Sequence, residues 1–147
     1  MLKPAALLVL MLGGGAFVDH AEAKSVSVRH FAPGQEWSIN SASPTNAKVI
    51  IGRVEKWKGR IAVHVSIIDI PIPKGMTGAG GAIRIGHVAF DKLALAASVD
   101  RLLATGISPA SSFDTGYQQW NNDQGDLTTM SVSQIIALGL AAINRVH

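Results

Sequence analysis

The sequence predicts an α+β domain: a small antiparallel sheet built on a central β-hairpin, 48–57 and 60–70, with two or three helices packed on one side. Three observations carry this. Lys48–Trp57 and Arg60–Ile70 are rich in β-branched residues and are separated only by Lys58-Gly59, the spacing of a two-residue hairpin turn. Apolar residues at helical spacing occur only downstream of that pair. Strand and helix patterns do not alternate along the chain, so no parallel βαβ unit is indicated.

Taken in order, the chain opens with Lys3, an uncharged run over 4–18 and then Ala21-Glu22-Ala23. A basic start, an apolar middle and a small-x-small end are the pattern of a cleavable secretory signal, with cleavage after Ala23. The uncharged run is shorter than the ~20 residues of a spanning helix, and no later stretch is long and apolar enough to span. Residues 24–147 then form a single domain in the periplasm or outside the cell. The chain has no cysteine, so no disulfide supports it in a compartment where one could form. That absence fits a bacterial periplasmic protein better than a small eukaryotic secreted one.

Pro33-Gly34 marks a turn, 35–40 reads as a short strand around Trp37, and 41–46 is a loop by composition. In the hairpin the turn sets the register. It places Trp57 opposite Arg60, Val54 opposite Val63, Gly52 opposite Val65 and Ile50 opposite Ile67. One face then carries Ile50, Val54, Ile61, Val63, Val65 and Ile67. The other pairs Arg53 with His64, Glu55 with Ala62, and Ile51 with Ser66. Pro71 and Pro73 end the second strand, and 74–86 is a loop holding five glycines. A helix follows, with Phe90, Leu93, Ala97, Val99, Leu102 and Leu103 as its apolar stripe and Gly106 as its stop. Ser112 can cap a short helix over 113–120, and 127–130 can form one more short strand. The last helix starts at Ser131 or Ser133 and turns Val132, Ile135, Ile136, Leu140 and Ile143 inward.

Charge is uneven. Residues 24–92 hold ten Lys/Arg against four Asp/Glu, whereas 93–147 hold two against four. The basic excess gathers at Arg53, Lys56, Lys58 and Arg60 around the hairpin turn. That patch suits an anionic envelope component, or else a solvated tip whose charges discourage edge-to-edge pairing. Export excludes nucleic acid as the partner. Composition leaves the oligomeric state open.

The glycine-rich loop has no Lys-Ser or Lys-Thr after its glycines, as a phosphate loop requires, and a G-x-G-x-x-G reading breaks at Ile83. No cofactor is expected. His64 and Ser66 share a strand face, and His87 precedes Asp91 by four residues. Ser66, His87 and Asp91 therefore form a candidate nucleophile–base–orienter set, although no G-x-S-x-G elbow accompanies it. No H-E-x-x-H or close ligand pair indicates a metal. Phe113, Tyr117 and Trp120 fall at i, i+4 and i+7 on one helix face, either as core or as a platform for a sugar ring or a partner's side chain. Trp57 beside Arg60 suggests a cation–π pair at the tip. The candidate binding residues are Trp57, Arg53, Lys56, Arg60, Tyr117 and Trp120.

Phe31-x-x-Gly34-Gln35-x-Trp37, His64-Val65-Ser66-Ile67, Gly86-His87-x-x-Phe90, Ala97-Ser98-Val99 and Phe113-x-x-Gly116-Tyr117-x-x-Trp120 span most of 24–147. Together they resemble a small group of uncharacterised exported bacterial proteins, a resemblance that implies no activity. The function expected is an exported, non-enzymatic binding module, such as an inhibitor or immunity-type protein docking on another exported protein. The alternatives are a small periplasmic hydrolase using His64 and His87 with Ser66 or Asp91, and envelope polysaccharide or lipid binding through the basic hairpin.

Overall fold

In the computed structural model, the described residues are 29–41, 43, 45–75 and 82–145. The expected signal segment 1–23, the polar stretch 24–28 and loop residues 76–81 lie outside them. All the described strands and helices belong to the compact unit that begins at Phe31.

The central hairpin forms with the bounds its sequence gives: β2 is Lys48–Trp57 and β3 is Arg60–Ile70. Lys58 and Gly59 take φ of 48° and 79°, the left-handed pair that matches the twist of a tight hairpin. Trp57 pairs with Arg60 and Val54 with Val63, as the turn dictates. Further along, the register differs from the regular one. Ile51 pairs with Val65 and Arg53 with His64, so Gly52 is an extra residue without a partner, a bulge. Beyond it Val49 opposes Ile67 and Ile50 opposes Ser66. The bulge turns Val49 and Ile51 to the apolar face and moves Ile50 to the face of His64. Its physical reason lies across the sheet: a Cβ at Gly52 would sit 2.4 Å from the Phe113 ring.

β1, Glu36–Ile39, adds to β2, and β4, Ile83–Asp91, adds to β3. β5, Val99–Ala104, returns to pair with β1. The sheet order is β4-β3-β2-β1-β5, antiparallel throughout. β4 begins inside the stretch that composition assigned to a loop. The helix expected from Phe90 to Leu103 is instead strand, helix and strand. Phe90 lies near the end of β4 opposite Val63, fully buried. Asp91 then caps a short helix α1, Lys92–Ser98, by accepting from Leu93 N at 3.0 Å. The chain re-enters the sheet at Val99. Leu93, Leu102 and Leu103 of the expected stripe are exposed; pairing with β1 overrides their helical spacing. Of the strand expected over 127–130, only one parallel bridge forms, Thr128 beside Phe90.

Two further helices follow, α2 over Phe113–Asn122 and α3 over Val132–Arg145. Ser131 is the residue that starts α3: its hydroxyl accepts from Gln134 N, and the Gln134 side chain accepts from Ser131 N, a reciprocal capping box. The sequence set the helices on one side. The two aliphatic ones do share a face, where Leu95 and Val132 join Val49, Ile51, Val63, Val65, Ile67 and Phe90 in the core. The aromatic α2 lies on the other face, the one that carries His64. Ser98 ties the aliphatic pair together, donating to Ala94 O and accepting from Val132 N. Among the described residues no helix is long and apolar enough to cross a membrane.

Candidate functional site

The pleat brings Glu55 and His64 to the α2 face, because Arg53 opposes His64 and Glu55 lies two residues further along the same strand. β4 adds His87 beside them. Close approach at Gly116 seats α2 here, since a Cβ at that position would lie 2.7 Å from His87 Cβ. The three side chains form a line. Glu55 Oε2 lies 2.9 Å from His64 Nε2, and His64 Nδ1 lies 2.9 Å from His87 Nε2. The carboxylate sits out of line with the His64 ring N–H, so that contact is electrostatic and falls short of a well-formed hydrogen bond. The same carboxylate oxygen accepts from Tyr117 OH at 2.8 Å and from Arg53 Nε at 3.1 Å.

His64 is fully buried. Burial lowers its pKa from the ordinary value, against the Glu55 carboxylate, which favours the charged ring. His87 is lowered to about 4, first by burial and then by His64 beside it. Burial, then the Glu55 contact, raises the Tyr117 hydroxyl. Both imidazoles are therefore neutral at pH 7, and the contacts select their tautomers. A proton on His64 Nε2 avoids setting a lone pair against the carboxylate. His64 Nδ1 is then an acceptor, and His87 Nε2 must donate to it. That leaves the lone pair on His87 Nδ1, which takes no protein partner among the described residues.

His87 opens onto a cleft of about 540 Å³ beside α2, lined also by Ser112, Thr115, Gln119, Trp120 and Asp123. Trp120 and Ile85 supply its apolar surface, and Trp120 is itself packed on Trp57, with ring centroids 4.5 Å apart. Trp57 Nε1 donates to Gly125 O, and Trp120 Nε1 donates to Asp126 O.

The expected triad does not assemble. Ser66, fully buried, donates to Gly86 O at 2.7 Å and accepts from Ala110 N at 3.0 Å. Asp91 caps α1 and binds Arg60 Nη2 at 2.7 Å. Among the described residues, no group of three or more His, Asp or Glu side chains is placed to hold a metal ion. The cation over Trp57 is Lys58, at 5.6 Å, in place of Arg60. Arg53 lies 4.6 Å over the Tyr117 ring. Of the basic tip, Lys56 alone takes no partner among the described residues, and two of its three neighbours are paired with carboxylates.

Tyr117 and Phe113 are buried, so most of the aromatic face is core, and only Trp120 reaches the cleft. Sequence reasoning missed Glu55 as the anchor of the histidines, although the hairpin register already set it on their face. It also missed Ser112, Thr115, Gln119 and Asp123, whose signal is the polar side of the short aromatic helix. No family model, curated protein or solved structure matches this chain.

Proposed function

We propose that the chain is an exported, non-enzymatic binding module that takes its ligand in the cleft beside His87. The observation that carries this reading is Ser66. Its hydroxyl is buried and committed to two backbone groups, Gly86 O and Ala110 N. That commitment counts against Ser66 as the nucleophile of the hydrolase alternative, while the cleft keeps hydrogen-bonding groups suited to holding a ligand. A His87 held near 4 is also a weak base at neutral pH. Ser66→Ala tests this. The variant should lose about 1–3 kcal/mol of stability in urea unfolding, because it strands a buried N–H. The parent should show no turnover of p-nitrophenyl esters above that of free imidazole. Parent turnover that vanishes in a folded Ser66→Ala protein would return the chain to the hydrolases.

A second reading, docking on another exported protein, is supported by β5. It is the terminal strand of the sheet, and Leu102 and Leu103 are 47% and 44% exposed. Such an edge suits an extended segment of a partner, added as a sixth strand with the two leucines gripping its side chains.

A further inference from the structure

The cleft beside His87 is selective in its chemistry. Five of the lining side chains, His87, Ser112, Thr115, Gln119 and Asp123, are able to hydrogen-bond, and Trp120 and Ile85 supply the apolar surface. Among the described residues no Lys or Arg lines it. A phosphate, sulfate or carboxylate ligand would meet the Asp123 carboxylate with no cation to offset it. A purely apolar ligand would cover these polar groups without pairing them, at a cost of a few kcal/mol. The volume, about 540 Å³, lies within the range of small-ligand sites.

The Glu55–His64–His87 line adds a direction. With His87 Nε2 donating inward to His64 Nδ1, the ring presents an acceptor to the cleft. Any group that faces His87 must donate a hydrogen bond. Asp123 makes the same demand. Gln119 both donates and accepts, and the Ser112 and Thr115 hydroxyls do either. A ligand that matches carries several hydroxyls around a C–H surface able to lie against Trp120.

We infer that the cleft binds a neutral saccharide unit, its hydroxyls donating to His87 Nδ1 and Asp123 and bridging Gln119, with an apolar C–H patch against Trp120. This inference rests on the binding-module reading and names its ligand class. It also sets this cleft, which carries a carboxylate and no cation among its described lining residues, apart from the basic hairpin tip, whose arginines are paired within the fold.

The test is a titration of the purified protein with two neutral probes, maltotetraose and chitotetraose, and one polyanion, polygalacturonate. Tryptophan fluorescence and the ring-proton NMR signals of His87 serve as readouts. At least one neutral probe should give a saturable change that raised salt leaves in place. Gln119→Ala and Asp123→Ala, both exposed positions outside the core, should weaken it about five-fold or more while the unfolding midpoint holds. Three results overturn the assignment: no saturable response to either neutral probe, a response confined to polygalacturonate and released by salt, or neutral binding that both variants leave unchanged. Cleavage of a bound probe, read as new reducing ends, would instead overturn the non-catalytic reading and leave the saccharide assignment standing.

Discussion

At Gly52 the second strand carries a residue with no partner across the hairpin, and the Phe113 ring fills the space where a side chain would begin. This contact sets α2 against the sheet, and α2 in turn supplies one wall of the cleft. Gly52→Ala should therefore push the ring away and destabilise the fold by about 1–3 kcal/mol, the usual range for overpacking. A lowered urea midpoint with shifted His64 and His87 ring signals would show it; an unchanged midpoint would mean that the ring does not rest there. Residue by residue, the sequence reveals what lies on one side of the turn. From the Lys58-Gly59 pair alone, Arg53 meets His64 and Glu55 joins them on that face. The neighbours brought in by α2 were hidden, because its seat depends on a bulge whose only trace is a single glycine in a strand.

The elements were legible where local pattern and tertiary pairing agree. Both hairpin strands, the strand around Trp37, the aromatic helix and the terminal helix fall close to their expected bounds. They part company over 90–103. Phe90, Leu93 and Ala97 have helical spacing, yet Phe90 belongs to β4, and Val99 opens a strand whose partner is β1. No local window contains that partner. β5 also bears on docking. Replacing Leu102 and Leu103 together by Lys should leave the unfolding midpoint almost unchanged, since both are already exposed. It should abolish capture of any partner that adds to this edge, measured by co-purification from periplasmic extract. Equal capture by parent and variant would remove the second reading.

For the molecule as a whole, the α+β class follows from strands gathered early and helices late. The placing of helices on both faces does not, because α2 is too short and too aromatic for its apolar side to say which face it seeks. Two neutral imidazoles packed between sheet and helix make stability depend on pH. An unfolded His titrates near 6.5, whereas His87 in the fold titrates at about 4. Between those values the unfolded chain binds more protons, so stability is fully present above about 6.5 and falls as pH drops toward 4. His64, also lowered, acts in the same direction. His87→Gln should flatten this decline in thermal midpoint relative to the parent. Parallel curves would place the acid sensitivity elsewhere, in the carboxylates.

The path of the chain through the sheet also implies an order of assembly. β1 to β4 form an antiparallel meander in which each strand pairs with the one before it, so these contacts close short loops. β5 must come back across to β1, where Arg101 N meets the Ser38 hydroxyl 63 residues away in sequence. Closing so long a loop is slow compared with zipping a hairpin. The meander is the part that can form first, and the seam between β1 and β5 is the part expected to close last.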